Sequence, residues 1–263
     1  MRLKDKIALV TGASRGIGRG IALALAIEGV DVVLNCSTSV QDAKKVAREI
    51  ERLGRRSVVI QADVSEKSAV EKMVQQTVSH FGKIDILVNN AGMATVGRSE
   101  NLEEKLWRRG IDVMLTGVFF CSQAAGREMI KQKSGKIINI ASVNGIVAFP
   151  ERACYCSAKA GVMALTKVLG CEWARYNINV NAIAPGYVET DMVRNLVSQG
   201  TVDVDKLSAR TPNGKLAISE DVANTVVFLV SEDSKHIVGQ TIVVDGGWTA
   251  YGYLESWLKK TGK

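Results

Sequence analysis

Apolar residues follow two alternating patterns along the chain. Short runs of β-branched and aliphatic residues, such as IALV at 7–10 and ILVN at 86–89, separate longer segments in which apolar residues recur at helical spacing. The short runs predict strands at 7–10, 31–35, 57–61, 86–89, 136–140, 178–183 and 241–244. The longer segments predict helices at 17–28, 41–53, 69–81, roughly 103–133, 155–176 and 221–230.

Most of the predicted strands are continuously apolar, which is typical of parallel strands covered on both faces. The sustained alternation therefore predicts an α/β fold of the Rossmann type: a doubly wound, seven-stranded parallel sheet with helices on both faces. Because no Pro-rich or Gly/Ser-rich tract divides the 263 residues, we expect a single domain over 1–263. Ligands of such sheets bind at the carboxyl ends of the strands.

The composition of the chain limits the kinds of binding partner and site that we expect. The formal net charge is +7, but lysines and arginines alternate with acids, as in DAKKVAREIERLGRR, which is typical of a solvated helix face rather than a nucleic-acid surface. The five cysteines form no CxxC pair and the two histidines have no ligand-spaced neighbours, so we expect reduced thiols and no protein-bound metal. No apolar segment is long enough for a signal peptide or a membrane span. We expect a cytoplasmic protein without nucleic-acid or membrane partners.

The first predicted strand runs into TGASRGIG, residues 11–18. Gly12 permits a tight turn, and Gly16 and Gly18 remove side chains where the backbone approaches a pyrophosphate and the helix packs on the sheet. The amides that open the following helix would face the phosphates. With a strand before it and a helix after it, this glycine pattern indicates a dinucleotide-binding turn.

The end of the second strand bears on the choice of dinucleotide. NAD-specific sites usually have an acid there that bonds the adenosine ribose, whereas this segment reads VVLNCSTS. Asp31 lies at the start of the strand, too early for that role. Arg15 could pair with a 2′-phosphate, and Asn35, Ser37 or Thr38 could donate to it. We favour NADP(H), with NAD as the alternative.

Two further motifs follow in order. Tyr155 stands four residues before Lys159, which places both on one face of a helix, and Ser142 follows the fifth predicted strand in INIASVNG. LVNNAG at 87–92 ends the fourth strand. With the glycine turn, these motifs resemble the short-chain dehydrogenase/reductase family. The resemblance runs from KIALVTGASRGIG to GQTIVVDGG and includes ADV at 62–64 and NAIAPGYVETDM at 181–192.

The resemblance implies an oxidoreductase that moves a hydride between a nicotinamide cofactor and a secondary alcohol or ketone. Tyr155 would be the acid/base, Lys159 would bond the nicotinamide ribose, and Ser142 would donate to the substrate oxygen. Lys159 and the oxidised nicotinamide would lower the pKa of the tyrosine, for which a shift of ~3 units needs about 4 kcal/mol.

The cofactor-binding residues expected from the turn, the second strand and the resemblance are Gly12, Ser14, Arg15, Gly16, Ile17, Gly18, Asn35, Ser37, Asp63, Val64, Asn90, Ala91, Gly92, Tyr155, Lys159, Pro185, Gly186, Val188 and Thr190.

One position departs from the family's pattern. Many members carry asparagine in the central helix, in a stretch resembling VNLTG, whereas this chain reads DVMLTG and has Met114 there. The asparagine is thought to help hold a water that links the lysine to solvent, and methionine cannot donate that hydrogen bond. A backbone carbonyl at 114 could still hold the water. We expect an active enzyme with a different proton relay; a catalytically weak NADP-binding sensor or scaffold is the alternative.

The substrate is less clearly indicated. The polar segment 190–215 lies where a substrate-closing lid would be expected. Besides Ser142, the candidate pocket residues are Asn144, Phe149, Arg152 and Tyr187, with ordinary loop packing as the alternative. The ending VDGGWTA is similar to sugar, gluconate or polyol dehydrogenases, and the glycine turn with VVLNCS to 3-oxoacyl-carrier-protein reductases. We favour a sugar, polyol or related small polar substrate.

Aromatic residues are concentrated near the C-terminus, at Trp248, Tyr251, Tyr253 and Trp257. Aromatic side chains favour interface cores, and the resemblance implies a homotetramer. We therefore expect this tail to pack against a neighbouring subunit, with packing on its own domain as the alternative.

Overall fold

A computed structural model of the chain describes residues 1–198, 200 and 203–252. Its centre is a seven-stranded sheet in the order β3-β2-β1-β4-β5-β6-β7, and every neighbouring pair is parallel. The strands are β1 Ile7–Val10, β2 Asp31–Cys36, β3 Ser57–Gln61, β4 Ile86–Asn89, β5 Gly135–Ile140, β6 Ile178–Pro185 and β7 Thr241–Val244. The predicted seven-stranded parallel sheet is confirmed.

Helices follow the strands in regular alternation. They are α1 Gly16–Ile27, α2 Val40–Arg52, α3 Lys67–Phe81, α4 Glu104–Ile111, α5 Gly117–Gln132, α6 Ala153–Trp173, α7 Asp191–Ser198, α8 Val204–Arg210 and α9 Ser219–Val230.

The central strands bury side chains on both faces. In β1, Ala8 and Val10 pack into a core layer shared with α1 and α9, whereas Leu9 packs into the opposite layer with α3, α5 and α6. Successive residues of a strand point to opposite faces, so a strand covered by helices on both sides must be apolar at every position. This accounts for the continuously apolar runs and confirms helices on both faces of the sheet.

The helix predicted over 103–133 is interrupted. A π-helical turn, Asp112–Thr116, separates α4 from α5. The helices on either side pass close to neighbours at two glycines: a Cβ on Gly110 would clash with the sulfur of Cys154, and one on Gly117 would lie 2.9 Å from the carbonyl oxygen of Val64. A π turn adds one residue to a helix and is frequent at functional sites, and apolar periodicity does not reveal so local an insertion.

The segment expected to be a polar lid contains the short helices α7 and α8, which the sequence analysis did not predict. Asp203 caps the second of them by accepting a hydrogen bond from the amide of Lys206 at 3.1 Å. Leu207 of this helix is buried with Leu216 and packs near Tyr187 and Trp248. The segment thus carries a small apolar cluster of its own.

Candidate active site

A cleft of about 600 Å³ lies where the loops leave the carboxyl ends of the strands. All the residues predicted for catalysis or cofactor binding line it, as do the predicted substrate residues Asn144, Arg152 and Tyr187. Phe149 does not line the cleft but meets the ring of Tyr187 edge-on, with centroids 6.1 Å apart. We call the part around the glycine turn, β2 and Asp63 the cofactor end, and the part around Ser142, Arg152, Tyr155 and Tyr187 the substrate end.

The glycine turn has the shape that its sequence demands. Gly12 and Gly16 adopt left-handed φ angles of 62° and 55°, which cost an L-residue energy but not glycine. Gly18 has an ordinary φ, but a Cβ there would clash with the carbonyl oxygen of Gly12. Glycine at these three positions therefore lets the tight turn lead β1 directly into α1.

Hydrogen bonds from β4 hold this turn in place. The hydroxyl oxygen of Thr11 accepts from the amides of Asn90 and Ala91, at 2.9 and 3.0 Å. The side-chain amide of Asn90 donates in return to the carbonyl oxygens of Thr11 and Gly12, at 2.9 and 3.0 Å. Asn90, predicted to contact the cofactor, thus also shapes the turn. Thr11 was not among the predicted residues, although it is the first residue of TGASRGIG.

Some polar side chains at the end of β2 bond to neighbouring strands, and others are available in the cleft. Asn35 is buried and its amide donates to the carbonyl oxygens of Ile60 and Ala62, at 3.3 and 3.0 Å. Both of its amide protons are thereby used, so the suggested hydrogen bond from Asn35 to a 2′-phosphate is not available. Arg15, Ser37 and Thr38 are the cleft residues that remain for that contact.

Two acids near this end are paired within the protein. At the start of β2, Asp31 accepts from Arg55 and Arg56 at 2.7 Å each, in agreement with its exclusion from ribose binding. Asp63 accepts from Arg109 and from the hydroxyl of Ser65, also at 2.7 Å. Burial acts to raise the pKa of Asp63, but the hydrogen bonds from Arg109 and Ser65 outweigh it and hold that pKa below its ordinary value.

The loop after β6 leaves one peptide open towards the cleft. Val188 pairs with Ala217 in an isolated parallel bridge in which the amide of Ala217 donates to Tyr187 and its carbonyl accepts from Glu189. Within the described chain, the N–H and C=O of Val188 itself take part in no backbone hydrogen bond of this loop. An amide-sized group in the cleft could therefore bond to the Val188 backbone.

The three predicted catalytic side chains meet at the substrate end. Ser142 ends the loop from β5, and its hydroxyl hydrogen-bonds with the phenol of Tyr155. The ammonium of Lys159 lies 5.7 Å from the centroid of the Tyr155 ring and donates to the carbonyl oxygen of Ile140 at 2.6 Å. One helix, α6, carries the tyrosine and the lysine one turn apart, and the end of β5 fixes the serine and the lysine's acceptor.

Burial shifts the pKa values of both Tyr155 and Lys159. Burial raises the pKa of the phenol above its ordinary value, and the hydrogen bond with Ser142 and the charge of Arg152 only partly oppose this. Burial also lowers the pKa of Lys159, to about 8. In the protein without cofactor, burial therefore disfavours the charged form of both groups. The lower pKa expected from Lys159 together with the oxidised nicotinamide stays a prediction.

Met114 lies at the middle of the π turn and is fully buried. Its side chain packs in the core beneath Gly92, with Cγ 3.9 Å from the place of a Cβ on that glycine. Methionine therefore fills apolar space under the loop after β4, where the family pattern places an amide.

Aromatic side chains form a wall beside the substrate end. Trp248 meets Tyr187 edge-on at 5.6 Å, and the guanidinium of Arg210 lies over the rings of Trp248 and Tyr251, at 4.8 and 5.2 Å. These two tail residues pack on their own subunit, as the alternative reading of the tail had it. Tyr253 and Trp257 lie outside the described residues.

Several residues of the cleft were not foreseen from the sequence: Met93, Ala94, Thr95, Val96, Arg109, Val113, Val193 and Asn195. None of them stands in a glycine-rich or catalytic motif, and each reaches the cleft through the course of a loop or helix. Val193 and Asn195 lie in the segment expected to be a lid, and for the other six residues no motif in the sequence signals the contact.

Other kinds of site are not found in the described ranges. No three histidine, cysteine or acidic side chains come together there as metal ligands would, and none of the helices described could cross a bilayer. The cysteines are free thiols, and Cys154 is buried in the core.

The glycine turn and the Ser142, Tyr155 and Lys159 side chains open onto one cleft of a doubly wound parallel sheet. An enzyme that transfers a hydride from a dinucleotide needs a turn that admits the pyrophosphate. It also needs a group that gives or takes a proton at the substrate oxygen. This combination defines a dinucleotide-dependent oxidoreductase. The family model for short chain dehydrogenases matches residues 6–200, and the chain belongs to this family.

Relatives are found with several activities. The chain is 45% identical over 242 residues to a 3-oxoacyl-[acyl-carrier-protein] reductase of Staphylococcus aureus, covering 92% of this chain and 97% of the relative. It is 38% identical to an NAD-dependent glycerol dehydrogenase of Listeria innocua, covering 94% and 95%. A gluconate 5-dehydrogenase from Burkholderia cenocepacia, solved in complex with NADP and tartrate, superposes with a TM-score of 0.89 at 38% identity, covering 95% and 97%. The chain is thus an oxidoreductase of CH–OH and keto groups.

Proposed function

We propose that the chain is an NADP-dependent dehydrogenase/reductase that interconverts a secondary alcohol and a ketone on a small polar substrate of the sugar, polyol or sugar-acid class. The observation that carries the proposal is the meeting of Ser142, Tyr155 and Lys159 in the cleft that the glycine turn opens. We place these roles in a single domain over 1–263 that works in the cytoplasm.

The cleft fits a nicotinamide dinucleotide. At Gly12 and Gly18 a Cβ would clash with neighbouring atoms of the chain, so the turn can keep its close course beside the cleft only with glycine. The backbone N–H and C=O of Val188, which make no backbone hydrogen bond among the described residues, suit the carboxamide. Asp63 with Val64 would border the adenine, while Pro185, Gly186 and Thr190 would lie along the nicotinamide end. When bound, the cofactor supplies the hydride donor or acceptor and, in its oxidised form, a positively charged ring beside the phenol.

The chain's own residues manage the proton. In reduction, Tyr155 gives its phenolic proton to the substrate oxygen, and Ser142 holds that oxygen by donating a hydrogen bond. Lys159 stabilises the phenolate left behind and orients the ribose. The raised pKa of Tyr155 in the protein alone keeps this proton in place until a cationic ring lies nearby.

NADP is favoured over NAD on the chemistry of the β2 end. No acid follows this strand where a ribose 2′-hydroxyl would be bound, and Arg15, Ser37 and Thr38 offer one charge and two hydroxyl donors for a 2′-phosphate. The NADP found in the gluconate 5-dehydrogenase complex supports this choice. NAD in the name of the glycerol dehydrogenase relative supports the alternative.

A 3-oxoacyl-carrier-protein reductase is the second candidate, supported by the relative with 45% identity. Its thioester substrate is neutral at the reacting end, whereas the substrate end here holds the buried cation of Arg152. We therefore favour the sugar-acid and polyol class. As in the family generally, we propose a homotetramer.

Initial rates with NADP⁺, NADPH, NAD⁺ and NADH test the proposal on three panels: gluconate and tartrate, glycerol and sorbitol, and acetoacetyl thioesters. Turnover is expected with the first two panels and with the phosphorylated cofactor. Activity confined to the thioesters would replace this function by the second candidate. Tight cofactor binding without turnover on any panel would indicate a sensor or scaffold.

A further inference from the structure

Arg152 stands in an unusual place for an arginine. It is the last residue before α6, three positions ahead of Tyr155, and it lines the substrate end of the cleft. The residue is only 7% exposed. Burial of a guanidinium is costly unless a carboxylate or several acceptors face it.

The side chain of Arg152 has no such acceptor in the protein. Its Nη1 is buried without a hydrogen-bond partner, and no ion pair or hydrogen bond of this guanidinium is found within the described ranges. Two other arginines provide a contrast, because their guanidinium groups each have a carboxylate partner. Arg55, whose Nε is also buried without a hydrogen bond, pairs with Asp31 at 2.7 Å, and Arg109, which also lines the cleft, pairs with Asp63 at 2.7 Å. An arginine that is nine-tenths buried and faces a cleft without a partner indicates a missing acceptor.

The charges around the cleft favour an anion as that acceptor. Among the described residues of the lining, Asp63 is the single acid, and it lies at the cofactor end, bonded to Arg109. The amides that open α6 carry the positive end of the helix dipole close to Arg152. Both the helix end and the guanidinium therefore attract negative charge at the substrate end.

Arg152 is close to the reacting group. Burial raises the pKa of Tyr155 and also that of Tyr187, to about 12, and in each case the charge of Arg152 acts in the opposite direction. The guanidinium thus acts on both phenols, and all three side chains line the same end of the cleft.

We propose that Arg152 binds a carboxylate of the substrate, so that the enzyme acts on a hydroxy acid or keto acid whose reacting carbon is presented to Tyr155. The planar guanidinium offers two parallel N–H donors that match the two oxygens of a carboxylate. This assignment rests on the proposed function and deepens it, because it separates acids from the neutral polyols and thioesters that the family resemblance leaves open.

Paired substrates and paired variants test the assignment. Each acid is compared with its neutral counterpart, gluconate with sorbitol and tartrate with threitol, in wild type, Arg152→Gln and Arg152→Lys. Wild type should prefer the acids, and Arg152→Gln should lose about 100-fold more kcat/KM on the acids than on the neutral compounds, because both classes share the loss of a charge near Tyr155 and only the acids lose the paired hydrogen bonds. Lysine, which keeps the charge but not the paired donors, should restore part of the loss, chiefly in KM.

The outcomes separate this assignment from a structural role. Equal losses on acids and neutral compounds, or a wild-type preference for the neutral member of each pair, would overturn it. A stronger response to a sugar phosphate than to the matching acid would also overturn the carboxylate. Because Arg152→Gln removes an unpaired buried charge, it should melt no lower than wild type; a clear loss of Tm would point to a structural role instead.

Binding measurements test the carboxylate site even if the protein turns over none of the proposed substrates. Should no panel be turned over, the thermal shift produced by tartrate on NADP⁺-saturated protein is measured in the same three proteins. A shift that disappears in Arg152→Gln and persists in Arg152→Lys supports the carboxylate site without any turnover. Equal shifts in wild type and Arg152→Gln, or none in wild type, would overturn it.

Discussion

The two ends of the cleft differ in how their polar side chains are bonded. At the cofactor end, Asn35, Asp63 and Asn90 all bond to neighbouring protein atoms, so the shape of that end is set before any ligand arrives. At the substrate end, Nη1 of Arg152 is buried without a partner within the described residues.

This contrast separates the residues that determine the shape of the cleft from those that determine substrate specificity. The polar groups that shape the cofactor site already make hydrogen bonds to neighbouring strands and turns. Groups that choose the substrate remain unbonded until the substrate supplies the missing acceptor. We therefore expect changes at the cofactor end to alter affinity for the dinucleotide, and changes at the substrate end to alter turnover and substrate choice.

Tyr155→Phe should have the largest effect. Removal of the phenolic proton should lower kcat by about 100- to 10,000-fold, while the dissociation constant for NADPH, measured by fluorescence, should change little. Tyr176→Phe, outside the cleft, is the matched control and should retain turnover. A kcat within a factor of ten of wild type would contradict the proposed acid/base role.

The burial of Lys159 should affect how the free energy of unfolding depends on pH. Its pKa is lowered from 10.5 to about 8 on folding, so between these pH values the unfolded chain binds more protons and stability rises with pH. The full difference is about 3 kcal/mol. Burial raises the pKa values of Cys36, Cys121 and Cys154, and these thiols act in the opposite direction over the same pH range. The contribution of Lys159 is therefore measured as the difference between wild type and a Lys159 variant, by denaturant unfolding at pH 7.5 and pH 10.

The variant Lys159→Met should lose that rise, because the titrating group is gone. Lys44→Met, on the exposed face of α2, is the matched control and should keep it. Parallel stability curves for wild type and Lys159→Met would show that the buried ammonium does not titrate in this window.

Gly18→Ala should weaken cofactor binding by roughly 10-fold or more, because its Cβ would press on the carbonyl oxygen of Gly12 and shift a turn that must admit a pyrophosphate. Gly252→Ala is the control, since a Cβ there meets no atom of the described residues within 4 Å. Fluorescence titration with NADPH measures both. Unchanged binding in Gly18→Ala would remove the turn from the cofactor site.

Arg15→Ala should have the smallest effect, because Arg15 is exposed. Loss of one charge on a 2′-phosphate should raise the KM for NADP⁺ by several-fold to about 10-fold and leave the KM for NAD⁺ unchanged. Arg48→Ala, an exposed position on α2 away from the cleft, is the control. An equal rise for both cofactors would contradict 2′-phosphate recognition.

Sequence patterns predicted the cofactor end well because its requirements are local. Gly12 has a left-handed φ, and a Cβ on Gly18 would clash with the carbonyl oxygen of Gly12. Both requirements involve only residues that are near one another in the sequence. The seven strands were predictable for a similar reason, since burial on both faces requires apolar residues at every position.

The remaining features depend on contacts between distant segments. The use of Asn35 depends on the carbonyl oxygens of Ile60 and Ala62 across the sheet. The raised pKa of Tyr155 depends on burial by the assembled loops, which a Tyr-x-x-x-Lys spacing does not reveal. The lack of a partner for Arg152 likewise becomes evident only when its surroundings are known.

The central claim is that the cofactor binds in this cleft beside Tyr155, and phenolate absorbance near 295 nm tests it without knowledge of the substrate. The spectrum of Tyr155→Phe is subtracted from that of wild type across a pH titration, first without cofactor and then with saturating NADP⁺. We predict that the Tyr155 phenolate appears above pH 10 in the protein alone and at clearly lower pH when the cofactor is bound. Identical titrations with and without NADP⁺ would contradict the account.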